Sequence, residues 1–181
     1  MTSSFAAGTY VRKQLACALA VGAAALTVAA DLKADDADRG GCRFFDGPFS
    51  SVLVPPPTCT SPVGLCTHGQ LQGDFPATYD FTFSTLQSAN DPTDPTEFVY
   101  TGHSTVTTDR GVIHTNDSGV IHIPANGAPA PFVTTAVVAT GTGRYANATG
   151  VFVAQGNVDF STGNAVGDYI AQVCRGDHDR D

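Results

Sequence analysis

The side chains able to do chemistry are few. Four cysteines, Cys42, Cys59, Cys66 and Cys174, and five histidines, His68, His103, His114, His122 and His178, lie beyond an N-terminal apolar run that holds Cys17. The 17 acidic residues are aspartates except for Glu97. An even set of cysteines without a C-x-x-C pair points to two disulfides in an oxidising compartment rather than to zinc. Spacing leaves three connectivities open. If the first and last strands of a closed sheet pair, Cys66 meets Cys174 and Cys42 meets Cys59; the rival joins Cys59 to Cys66 across a short Pro-Gly loop. His114 and His122 are symmetric about Ser118, so a hairpin turn at Asn116-Asp117-Ser118-Gly119 would set them face to face across neighbouring strands. Only His103 or Asp117 offers itself as a third ligand, and no metal site is assigned.

Aromatic side chains make a second pattern. Tyr79, Phe81 and Phe83 alternate with Asp80, Thr82 and Ser84, and Phe98 and Tyr100 repeat the alternation. One face of each strand is therefore aromatic. The two readings are an ordinary packed core and the wall of a ligand cavity. A general acid needs a carboxyl or imidazole in an apolar pocket. Asp80 and His103 stand in the phase opposite Tyr79 and Tyr100, so they point outward if the aromatics point inward. No Gly-x-Ser-x-Gly elbow or phosphate-cradling glycine loop is present. The sequence thus assigns no catalytic residue and no cofactor. Asn116-Asp117-Ser118 and Asn147-Ala148-Thr149 are formal glycosylation acceptors.

The elements that would position these groups are strands. Charged residues are 14% of the chain, against about 25% for an average soluble domain, and the strong helix formers Glu and Lys are almost missing. From Leu65 onward, short runs rich in Thr, Val, Phe and Tyr are separated by Gly, Asn, Asp and Pro. The runs are 66–73, 77–86, 98–108, 111–115, 119–124, 132–140, 150–160 and 166–174, with loops at 90–95 and 124–131. Eight short strands without a helical period predict an all-β domain, either a sandwich or, in preference, an eight-stranded antiparallel β-barrel tied by disulfides.

Residues 1–30 read as a secretory signal peptide: Arg12 and Lys13 precede an apolar run, Leu15 to Ala30, that is too short to span a bilayer and ends in small residues. Gln14 sits where a lipobox needs an aliphatic residue, so no lipid anchor at Cys17 is expected. Residues 31–64 read as a flexible lead-in ending in a Pro-rich segment, 65–175 as the barrel domain and 176–181 as an acidic tail. The aspartates at 35, 36 and 38, and at 177, 179 and 181, lack the spacing of a calcium loop and read as solvated ends. The expected location is secreted: extracellular, periplasmic or at the cell surface. A formal charge of -8 and a pI near 4.8, with no basic cluster expected in the folded part, argue against nucleic acid as a partner. No membrane insertion is expected once the leader is removed.

Gly141-Thr142-Gly143-Arg144-Tyr145, followed by Ala148-Thr149-Gly150 and a strand through Asp159-Phe160, resembles the late-strand turn of the allene oxide cyclase and dirigent group of calycin-like barrels. Gly69-Gln70-Leu71-Gln72-Gly73, the Tyr79–Phe83 alternation and the closing run 163–174 extend the resemblance over residues 65–174. Tyr145 could plug a barrel end. The resemblance implies an apolar cavity that binds a small apolar molecule and promotes its cyclisation or stereochemical folding, an isomerase-type activity acting by shape and without a cofactor. Tyr79, Phe81, Phe83, Phe98 and Tyr100 would form its ligand-binding wall. The cyclase's interior carboxylate has no counterpart assigned here, since Glu97 stands beside Pro95 at a loop edge. The alternative is a non-catalytic secreted binding or cell-surface interaction module with a solid core. Association into homo-oligomers is compatible with both.

Overall fold

The computed structural model describes residues 41–89 and 94–176. The leader, the aspartates up to 38, the tip of the 90–95 loop, His178 and the acidic tail lie outside the described residues. Eight strands follow in order: β1 (Cys42–Leu53), β2 (Cys66–Leu71), β3 (Ala77–Ser88), β4 (Glu97–Thr108), β5 (Gly111–His122), β6 (Ala130–Gly141), β7 (Thr149–Asp159) and β8 (Asn164–Cys174). A one-turn 3₁₀ helix, Gly143–Tyr145, lies between β6 and β7. Each strand pairs antiparallel with the next and β8 returns to β1, so the sheet is a closed eight-stranded barrel. Closure removes the exposed edges that a small sheet would otherwise carry.

Two parts of the expected strand layout are redrawn. Residues 42–53 are not a lead-in but β1, so the barrel begins at Cys42 rather than at 65. Pro48 disguises this strand, because proline lacks a ladder donor and usually rules out a central position. It is tolerated because the β1–β2 ladder starts only at Phe49. On that side Pro48 needs only its carbonyl, which accepts from the Gln72 amide at 2.9 Å. The expected hairpin at Asn116–Gly119 is likewise absent. β5 runs straight through it, because Asp117 pairs with Gly102 of β4 on one side and with Ala136 of β6 on the other. Ladders on both sides of Asn116–Gly119 outweigh local turn preference. The count of eight survives because one strand was missed and another divided.

The disulfides follow from this topology. Cys42 opens β1 and Cys174 closes β8, directly opposite in register, and they are bonded; Cys59 and Cys66 close the β1–β2 loop. The pairs Cys66–Cys174 and Cys42–Cys59 are therefore not formed. First and last strands do meet, but the first strand is β1. Two disulfides fit an oxidising compartment.

The barrel has two unlike ends. At the end where β1 starts, Phe75 from the β2–β3 loop and Tyr145 from the 3₁₀ turn are buried and face each other with ring centroids 6.0 Å apart. Phe75 also meets Phe45 and Phe152, so this end is filled. At the other end Leu53, Leu65, Phe83 and Phe160 rim an interior space.

Candidate functional site

Alternation sends one face of every strand inward, and large side chains there lie over glycines of the neighbouring strand. A methyl group at Gly102 would overlap the Phe81 ring, and one at Gly119 would overlap the Tyr100 ring. These two glycines let the rings lie flat along the wall instead of filling the axis. The result is a cavity of about 130 Å³ open at the Leu53–Phe160 end. This is close to the ~150 Å³ of an apolar cavity that accepts benzene. The interior is therefore not a solid core.

Tyr79, Phe81, Phe83 and Tyr100 line this cavity. Phe81 and Phe83 stand edge to face at 4.5 Å, and Tyr100 packs on both. Phe98 does not line it; it packs against the cluster of Tyr100, Ile121, Ala130, Val158 and Ala165, all of which except Ala130 line the cavity.

A carboxyl shares this apolar space. Asp117 is only 5% exposed and lines the cavity with Ser104, Thr115 and Thr134. The Ser104 hydroxyl donates to its Oδ2 and the Thr115 hydroxyl to its Oδ1, the latter at 2.5 Å. Burial pushes the Asp117 carboxyl above the usual carboxylate range, against the opposing pull of these two hydroxyls. Tyr100, whose hydroxyl is bonded to that of Thr134, is pushed up to about 12, first by burial and further by the Asp117 charge. The Tyr79 phenol is raised by burial as well, and its partner is Ser51 of β1. A carboxyl whose pKa is raised takes up a proton more readily than an exposed one, and in that form it can donate a hydrogen bond. In that form Ser104 or Thr115 would accept from it, which frees that hydroxyl's own hydrogen for another acceptor.

Asp117 as a cavity group escaped the sequence reading because Asn116–Gly119 carries turn residues. The signal was present in phase: Ile113, Thr115, Asp117 and Ile121 fall on one face of β5, and all four are buried. Ser51 was hidden with β1. Asp80 and His103 point outward, and Asp80 pairs there with His68 at 2.7 Å. His114 and His122 lie on one strand, eight residues apart, which at about 3.3 Å per residue is too far to share an ion. His122 contacts Asp94 at 3.5 Å, and His114 contacts Thr105. Among the described residues no three His, Cys, Asp or Glu side chains converge as a metal site, and no helix is long and apolar enough to cross a membrane.

Comparison with known proteins brings no match: no family model, no curated protein and no solved structure aligns with this chain.

Proposed function

We propose that this barrel, exported by its N-terminal leader, takes a small neutral apolar molecule with one acceptor oxygen into its interior and holds it in a single conformer. Cyclisation or stereochemical folding of that molecule would follow from confinement, as the resemblance to allene oxide cyclase barrels suggests. The observation that carries the reading is a buried carboxyl, Asp117, set among aromatic walls. Asp117 polarises the ligand oxygen through its own proton or through Ser104 or Thr115, Tyr79 to Tyr100 supply the walls, and neither a nucleophile nor a cofactor is needed. A ligand larger than benzene would extend through the mouth past Phe83 and Phe160.

A second reading, a secreted interaction module, draws on the outer wall. Val99, Val120 and Val133 form one exposed row across three strands, and Ile170 and Phe44 are 63% and 77% exposed. Native mass spectrometry of the protein isolated from its producing cells separates the two readings. The ligand reading expects a small adduct that disappears on denaturation. A bare mass, with barrels associating through the valine wall, supports the interaction module instead.

A further inference from the structure

The basic residues tell a different story from the acidic whole. Arg43, Arg110, Arg144 and Arg175 are the only Lys or Arg among the described residues, and the sequence scatters them so that no basic run forms. The fold collects all four at the filled end. Arg43 is the second residue of β1, and Arg175 follows the end of β8. Arg110 lies in the β4–β5 turn, and Arg144 lies in the 3₁₀ turn, where its amide donates to the Arg110 carbonyl at 2.8 Å. Arg43, Arg110 and Arg175 line a groove of about 480 Å³ whose wall is Phe45, Phe75 and Tyr145.

A chain with a formal charge of -8 has aspartates to spare for dispersing four cations, and gathering like charges is unfavourable in the free protein. Asp74 and Asp109 also line the groove, beside the three guanidiniums of Arg43, Arg110 and Arg175. Asp109 approaches Arg110 only at 3.8 Å, with both side chains more than half exposed, a contact that water largely screens. Arg43 sits over the Phe45 ring at 5.4 Å. The Arg175 guanidinium is held below its ordinary pKa, first by partial burial and then by Arg144 and Arg43. Guanidinium forks match the oxygens of phosphate and sulfate, and ring edges beside them offer a surface to a flat apolar body.

We propose that the filled end of the barrel is a second binding site, separate from the cavity, for an aryl phosphate or aryl sulfate. Arg43, Arg110 and Arg175 hold the oxyanion, and Phe45, Phe75 and Tyr145 pack against the ring. The cavity mouth is at the opposite end, so the two sites are independent.

Phenyl phosphate, phenyl sulfate and inorganic phosphate, titrated in turn into the ¹⁵N-labelled, disulfide-bonded protein, test this by amide shifts. Saturable shifts are expected at Arg43, Arg110, Arg144 and Arg175, with the cavity amides of Ser104 and Thr115 unmoved. Saturation by either ester supports the site, and the tighter of the two identifies the oxyanion it prefers. R43Q and R110Q, both at exposed positions, should each weaken binding about ten-fold, and added salt should weaken it further. Shifts that scatter or fail to saturate would overturn the proposal. So would affinities unchanged in R43Q and R110Q, or inorganic phosphate binding as well as the esters.

Discussion

At the scale of single residues, Asp117 decides how the interior behaves. Its carboxyl is raised above the ordinary range by burial, so the folded state holds the proton more tightly than the unfolded chain does. The associated stability is complete below the unfolded carboxylate value of about 3.9 and is lost as pH rises through the folded value. D117N keeps an acceptor for one hydroxyl and a donor for the other, and it does not titrate. Wild type should therefore lose stability relative to D117N as pH is raised from the acid side, read as the difference between their urea midpoints at each pH. Parallel profiles would mean that Asp117 titrates as an exposed carboxylate. None of this was legible in Asn116-Asp117-Ser118-Gly119, a string that reads as a turn in isolation. The aromatic alternation from Tyr79 to Phe83 was legible, because period-2 patterning survives whatever the neighbouring strands do. Phe98 had the right phase, yet it sits where the wall passes into the packed cluster.

At the scale of elements, closure depends on β1, the strand whose sequence conceals it best. Pro48 and Gly47 break its propensity, but the alternation of Phe45, Phe49, Ser51 and Leu53 supplies an inward face, and β8 pairs with it from end to end. Local composition revealed the strands rich in β-branched residues. β1, interrupted by Gly47 and Pro48, and the centre of β5, made of turn-forming residues, needed the tertiary ladder to be seen. The Cys42–Cys174 bond joins the two strands that close the barrel across a separation of 132 residues, whereas Cys59–Cys66 spans 7. Chain entropy then assigns about 5 kcal/mol to the long closure and about 2.5 kcal/mol to the short one. The double variant C42S/C174S should lose roughly twice the unfolding free energy of C59S/C66S in urea titrations. Equal losses would show that closure of β8 on β1 is already present in the unfolded chain.

At the scale of the whole molecule, the barrel is polarised along its axis. One end is filled by Phe75 and Tyr145 beneath the arginines, and the other opens past Leu53, Leu65 and Phe160 into an aromatic space holding one buried carboxyl. The closed all-β architecture followed from strand-and-turn spacing and scarce helix formers. The hollow interior did not, because it depends on inward glycines such as Gly102 and Gly119 lying opposite particular rings. The central claim is that this interior accepts a small neutral molecule by its oxygen. Titration of the ¹⁵N-labelled protein with cyclohexanone tests it most directly. Saturable shifts are predicted at Ser104, Thr115, Asp117 and Thr134, with D117N binding within a few-fold of wild type and D117L about ten-fold weaker. Interior amides that do not move, or equal affinity in wild type and a folded D117L, would contradict the account.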